Sequence, residues 1–291
     1  MKIALGTVQF GMLYGIANKN GQVAKKSVRK ILSHAKKNGI NTVDTAISYG
    51  DSEEFLGNAG IKEWDLVTKL PEVPKLCTNI SDWVNDQITG SLKRLRVDRV
   101  KALMLHRPEQ LLGTDGGDLW HAIKELKNRG IVKKIGFSIY GPEELEQLWM
   151  RYRPDIIQAP FNIFDQRLKT SGWLEKLHNN NVEIHVRSIF LQGLLLMNKD
   201  DRPEEFNRWN FLWEIWEKWL KKESLTPLEA CIKFINSESF IDYAVVGVDN
   251  LYQLKQITRI SGSLIDAYPK ELSVIDEDLI NPSHWRKTLK L

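Results

Sequence analysis

The chain has 291 residues, 42% of them apolar and 27% charged, with a formal net charge of +4. That is ample material for one large buried core, and so slight a charge, with lysines and arginines interleaved among acids, argues against nucleic acid as the main partner. The two cysteines, Cys77 and Cys231, stand far apart in no metal-ligand spacing; neither a disulfide framework nor a metal site is expected, and a reducing, cytoplasmic setting is the simple reading.

The opening MKIALGTVQFGMLYGIA imitates a signal peptide faintly, with Lys2, apolar residues and a small residue at Ala17. Thr7, Gln9 and glycines interrupt it, so no leader is expected. No stretch approaches the ~20 apolar residues of a spanning helix. IALGT, near Ile3, is the first strand. Residues 24–38 then set Val28, Ile31, Leu32 and Ala35 on one helical face, and Gly39 stops that helix. Further strands begin near Thr42 (TVDT), Leu66 (LVTK) and Ala102 (ALMLH). GTDGGD at 113–118 is glycine-rich but acidic, which suits a turn better than a phosphate cradle. WHAIKELKNRG stops at Gly130 before a strand near Lys134 (IGFS), and another follows near Ile156 (IIQAP). WLEKLHNN breaks at its asparagines before a strand near Glu183 (VEIHV), and the eighth begins near Ala244 (AVVG).

These runs are mostly apolar, as parallel strands covered on both faces must be, and they alternate with amphipathic helices. Eight such units predict an α/β fold, a closed (β/α)8 TIM barrel, with the whole of 1–291 as a single domain. Two stretches fall outside the repeat. Residues 204–222 predict a Trp-rich helix with Phe206, Trp209, Trp213, Trp216 and Leu220 at helical spacing. It either packs on the barrel or offers a stacking surface to a sugar or partner. The tail after Leu264 carries His284 and Trp285, and is either a flap over the barrel mouth or a surface wrap.

Chemistry in such a barrel belongs at the C-terminal strand ends and the loops after them. Asp44 ends the second strand, and Tyr49 follows it within VDTAISYG. Lys69 ends the third strand, His106 the fourth and Ser138 the fifth; the sixth carries Gln158, and the seventh ends in Arg187 and Ser188. One Asp, one Tyr, one Lys and one His at such ends form an economical proton-transfer set. Taken singly, each has a plain alternative: an ion pair for Asp44 and Lys69, a packed loop ring for Tyr49, a satisfied core histidine for His106.

In order along residues 2–260, DTAISYGDSEEFLG, TKL, LMLHRPE, KIGFS, QAPFN and a late strand with a Gly-containing turn resemble the aldo-keto reductase superfamily. The resemblance implies an NADP- or NAD-dependent oxidoreductase that reduces an aldehyde or ketone, with Asp44, Tyr49, Lys69 and His106 as its catalytic tetrad. The chemistry is consistent with those roles. Hydride arriving at a carbonyl leaves an alkoxide that must be protonated, and a free tyrosine, with a pKa near ~10, is a poor acid. Lys69 is expected to lower that pKa, Asp44 to hold the lysine, and His106 to donate to the carbonyl oxygen. The implied cofactor contacts fall on Gly6, Thr7, Asp44, Ser138, Gln158, Arg187, Ser188, Gly193, Gly247, Asn250 and Gln253, with Ser138 and Gln158 holding the nicotinamide carboxamide.

The chain departs from the family pattern at three points. Ile139 stands where an asparagine usually follows the serine, and Arg187 where an aromatic residue often stacks. Gln253 replaces an arginine for the 2′-phosphate, with Asp249 nearby, which puts a preference for NADPH in doubt. Arg107 and Arg187 beside the mouth suggest a polar carbonyl substrate, either neutral such as a sugar or anionic such as a keto acid; service to the cofactor is the competing role for Arg187. Two alternatives stay open: a cofactor-binding regulatory subunit, like the potassium-channel beta subunits of this superfamily, and a phosphate-handling barrel isomerase. The absence of a phosphate loop after strands seven and eight counts against the isomerase, and nothing marks a membrane partner.

Overall fold

The computed structural model describes residues 2–260, 262, 264, 265 and 267–285. Its strands are β1 (Lys2–Gly6), β2 (Thr42–Asp44), β3 (Asp65–Leu70), β4 (Val100–Leu105), β5 (Val132–Ser138), β6 (Ile156–Pro160), β7 (Glu183–Arg187) and β8 (Tyr243–Gly247). Each pairs in parallel with its neighbour, and β1 also pairs with β8, so the sheet closes into the eight-stranded barrel expected. All eight strands coincide with the apolar runs.

Side chains alternate between the two faces of a strand, and here that alternation carries polar groups to the mouth. Val67, Ala102, Met104 and Ile156 form a small apolar cluster of their own, separate from the main core between barrel and helices. Two residues further along the same faces come Lys69, His106 and Gln158. Gly136 belongs to this layer because a Cβ there would stand 1.7 Å from the Ile156 carbonyl oxygen.

The helix Lys25–Lys37 buries Val28, Ile31, Leu32 and Ala35 as its spacing predicts. The opposite end of the barrel is closed by ions. Glu183 meets Lys134 at 2.5 Å, Lys101 at 3.4 Å and His185 Nε2 at 2.7 Å.

The Trp-rich stretch is not one helix. A 3-10 segment, Glu204–Trp209, precedes an α-helix, Asn210–Lys222. Phe206, Trp209, Trp213, Trp216 and Leu220 are buried, with Phe164 and Trp213 ring centroids 5.1 Å apart, so the stripe is packing and not a stacking surface. The tail lies over this stretch as a wrap. Asp276 accepts from Trp209 Nε1 at 2.9 Å, and Trp285 meets Phe206 edge-on at 5.0 Å. Among the described residues, no helix is long and apolar enough to cross a membrane.

Candidate active site

The loops after β1 and β2 are fastened together before they present any chemistry. Thr7 donates its hydroxyl to the Asp44 carbonyl at 2.9 Å, and Ser52 donates to the Thr7 carbonyl at 2.9 Å. Gly11 lets the two backbones touch, since a Cβ there would lie 1.6 Å from the Tyr49 carbonyl oxygen. This junction fixes the base of Tyr49.

Beneath Tyr49 lies a buried polar chain. Lys69 Nζ donates to Asp44 Oδ1 at 2.6 Å and to the Thr45 carbonyl at 2.9 Å, while Gln158 Nε2 donates to Asp44 Oδ2 at 2.7 Å. Lys69 is fully buried and Gln158 nearly so. The ammonium sits 5.3 Å from the centroid of the Tyr49 ring. His106 meets the same ring edge-on, its centroid 5.8 Å away and its plane at 75°. The expected tetrad therefore meets at one place. Ser48 Oγ is 3.3 Å from His106 Nδ1; when that hydroxyl donates, the imidazole proton sits on Nε2.

Burial holds His106 neutral by lowering its pKa to about 3, and the charges of Lys69, Arg187 and Arg107 add to the effect. Burial also lowers the Lys69 pKa against the opposing pull of Asp44. Tyr49 departs from expectation: its pKa is raised, first by burial and then by the Asp44 carboxylate, while Arg187 opposes the rise. The rise stands although the Lys69 ammonium, held by Asp44 and the Thr45 carbonyl, lies over the ring.

A cavity of about 350 Å³ opens beside Tyr49. Of the expected cofactor residues, Gly6, Thr7, Asp44, Gln158, Arg187, Ser188, Gly193, Gly247 and Gln253 line it, as does Tyr49 itself. Lys69, His106, Ser138 and Asn250 are not on its wall, and no described residue of the tail is. Ser138 is buried at the end of β5, register partner of Gln158. Asn250 is a helix cap: its side chain accepts from Gln253 N at 3.0 Å, opening the helix Leu251–Arg259. The cap occupies the side-chain oxygen and leaves the amide nitrogen to donate.

Several features of the wall suit an extended polar ligand. Gln9 keeps a buried amide oxygen with no partner, which costs free energy until a donor arrives. Gly247 lies against that amide, where a Cβ would stand 2.5 Å from Gln9 Nε2. Gly193 has φ 91 and a Cβ there would reach Ala17 at 2.5 Å, so both loops leave bare backbone toward the cavity. Arg187 donates to the Ile139 carbonyl at 2.9 Å; the Ile139 departure costs a side-chain amide but keeps a backbone acceptor. These residues fit a nicotinamide dinucleotide.

A model of the Aldo/keto reductase family matches residues 2–277. The chain belongs to the aldo/keto reductase family. The Aldo-keto reductase YhdN of Bacillus subtilis (strain 168) is 29% identical over 210 residues, 67% of this chain and 60% of that protein. The NADH-specific methylglyoxal reductase of Escherichia coli (strain K12) is 26% identical over 216 residues, 67% of this chain and 65% of its own length. The chain thus matches less than two thirds of either relative. The glycerol dehydrogenase structure from Gluconobacter oxydans superposes with a TM-score of 0.72 at 21% identity, covering 98% of this chain and 91% of that one. At that identity the likeness shows the fold.

In this aldo/keto reductase, four wall or mouth residues escaped the sequence reading: Gln9, Tyr14, Tyr140 and Gln192. Gln192 donates to Tyr14 Oη at 3.3 Å, tying the loop after β7 to the loop after β1. Tyr140 is bracketed by two guanidiniums, Arg187 at 4.8 Å and Arg107 at 5.3 Å from its ring centroid. The only signal available for Gln9 was its place in GTVQFG, just beyond the end of β1. The tyrosines sit in loops, where no periodicity marks them.

Proposed function

We propose that this barrel is an NAD(P)H-dependent reductase of a small, polar, anionic aldehyde or ketone, working in the cytoplasm as one domain. The convergence of Asp44, Lys69, Tyr49 and His106 beside the cavity carries this reading. The bound nicotinamide cofactor supplies the hydride. Tyr49 gives its phenolic proton to the carbonyl oxygen as negative charge grows there, and its raised pKa keeps that proton in place until then. Neutral His106, protonated at Nε2, donates a second hydrogen bond to the same oxygen. The Lys69 ammonium, held by Asp44, offsets the charge left on the phenol once its proton has gone.

The substrate class rests on Arg107 and Arg187. Neither is ion-paired to a carboxylate among the described residues, while both face the ring of Tyr140. Arginine remains charged and can grip a carboxylate or phosphate through two parallel hydrogen bonds. The printed names of relatives, a methylglyoxal reductase and a glyoxal reductase, point to small polar carbonyls. For the cofactor, Gln253 folds onto Asp249, accepting from its N at 2.7 Å and donating to Oδ2 at 3.2 Å. Of the helix Leu251–Arg259, Gln253, Gln256 and Ile257 line the cavity while Lys255 and Arg259 do not. NADH and NADPH are therefore both used, with NADPH favoured only where Lys255 or Arg259 reaches the 2′-phosphate.

The test is turnover with either cofactor on paired neutral and carboxylated aldehydes, by wild type and Tyr49→Phe. Loss of the general acid lowers turnover by about 10²–10⁴-fold while cofactor affinity holds. A variant with more than half of wild-type turnover, chemistry being rate-limiting, would remove Tyr49 from the reaction.

A further inference from the structure

Away from the mouth, the even mixing of charges seen along the chain breaks down. The helix Lys25–Lys37 carries Lys25, Lys26, Arg29, Lys30, Lys36 and Lys37 and no acid. Its apolar face is buried, so these cations turn to solvent. Beside it a cleft of about 650 Å³ is lined by Arg29, Lys36, Lys37, Lys62 and Arg96 against one acid, Glu63, with Trp64 in its wall. Its lining residues Gly60–Trp64 and Arg96 lead into β3 and β4, so the cleft lies at the N-terminal ends of the strands, opposite the cavity beside Tyr49.

The cations there are not neutralised. Among the described residues none of the five is in an ion pair. Of the acids nearby, buried Glu53 is taken by Arg94 at 2.7 Å and Asp65 by Lys101 at 3.4 Å, which leaves Glu63 as the one acid on the wall against five cations. Two guanidiniums instead converge on a neutral residue. Arg29 Nη2 donates to the Asn58 carbonyl at 2.9 Å and Arg96 Nη2 to Asn58 Oδ1 at 2.5 Å. Helix C-termini favour nearby cations by about 0.3–1 kcal/mol each, which accounts for single lysines at helix ends but not for five cations around one hollow. Arg96 adds a second sign. It ends the helix Ile80–Leu95 at φ 58, a left-handed position that Gly39, Gly60 and Gly130 occupy elsewhere in this chain. Glycine or asparagine is the cheaper residue there.

We propose that this cleft is a second binding site, for a small molecule bearing two or more phosphate groups. Paired guanidiniums match phosphate oxygens bidentately. The hollow has the volume of a small-ligand site, and Trp64, with Lys36 Nζ 5.2 Å from its ring centroid, supplies an apolar wall. The site stands apart from the reductase reading and does not depend on it.

Calorimetric titration of the full chain with inorganic pyrophosphate tests this, beside Arg29→Gln/Arg96→Asn and Arg187→Met. Asparagine accepts the left-handed turn, so the fold is kept. A second pair, Lys37→Gln/Lys62→Gln, alters exposed side chains and leaves Asn58 untouched. Pyrophosphate binds the wild-type chain, about tenfold or more weaker to each cleft variant, and with unchanged affinity to Arg187→Met. The proposal fails if pyrophosphate does not bind, or if Arg187→Met alone abolishes binding, which would seat the anion at the mouth. It fails equally if a short single-stranded oligodeoxynucleotide binds through Arg29 and Arg96 more tightly than pyrophosphate does.

Discussion

Asp44 Oδ1 stands 2.6 Å from Lys69 Nζ where the lysine side chain is wholly shielded from solvent and the aspartate almost so. Such a pair adds little net stability, but either partner alone would be a buried, uncompensated charge. Asp44→Asn and Lys69→Met should each destabilise the fold by about 3–5 kcal/mol. The double variant should cost less than the sum, because the cavity is left without an orphan. Urea unfolding of the four proteins measures this, and strict additivity would show that the two charges do not depend on one another.

Histidine 106 should be silent in the pH profile. An unperturbed imidazole gains its proton near ~6.5, whereas burial and three neighbouring cations hold His106 neutral until about 3. The raised Tyr49 pKa likewise keeps the phenol protonated beyond its ordinary range. For carbonyl reduction, kcat/KM should therefore stay level from about pH 5 to pH 9. A limb centred near 6.5, absent in His106→Gln, would show that the imidazole titrates during catalysis.

Restoring a cation at Gln253 should create a preference for NADPH. Gln253→Arg removes the amide that is folded onto Asp249 and brings a guanidinium to the place where the family resemblance puts an arginine. A charged hydrogen bond adds roughly 1.5–3 kcal/mol, so NADPH should tighten by about 10- to 150-fold with NADH little changed. Fluorescence titration of both cofactors decides it. A wild-type preference for NADPH above ~10³-fold would mean that another cation already does the work.

At the closed end of the barrel, Glu183 is pulled well below the usual carboxylate range by hydrogen bonds from His185 and Lys134, overcoming burial. A depressed carboxylate pKa contributes stability that is complete above the unfolded value, near ~4.3, and fades as pH falls through the folded one. Glu183→Gln should lose about 1.5–3 kcal/mol at pH 7. It should also lose less stability than wild type between pH 5 and pH 3. Parallel acid limbs in denaturant titrations of the two proteins would place the acid sensitivity elsewhere.

The strands, and the polar residues Asp44, Lys69 and His106 at their ends, were legible in the sequence through simple geometry, whereas Tyr49, in the loop after β2, was marked as part of a tetrad by the family resemblance. Strands covered on both faces show as apolar runs, and a polar residue at the end of such a run has only the mouth to face. What the sequence hid was contact between distant segments. Gln158 and Asp44 are far apart in the chain yet share a 2.7 Å hydrogen bond, and no periodicity encodes that. The position of Lys69 over the Tyr49 ring was equally hidden, since residue types at strand ends imply proximity but not angle. The break at Trp209 inside the Trp-rich stretch also escaped, because the aromatic spacing continues through it while the backbone changes from 3-10 to α.

The closure of β1 onto β8 has a consequence for how the protein is made. Gly6 and Gly247 are register neighbours, so one wall of the cavity joins the opening segment of the barrel repeat to its closing one. A nascent chain on the ribosome holds Gly6, Thr7 and Gln9 early, yet the surface they complete does not exist until β8 has emerged and docked. Until then the edges of β1 and β7 stay unpaired, open to self-association. Pairing across so long a separation is slow, and the reductase cavity is among the last parts of the molecule to form.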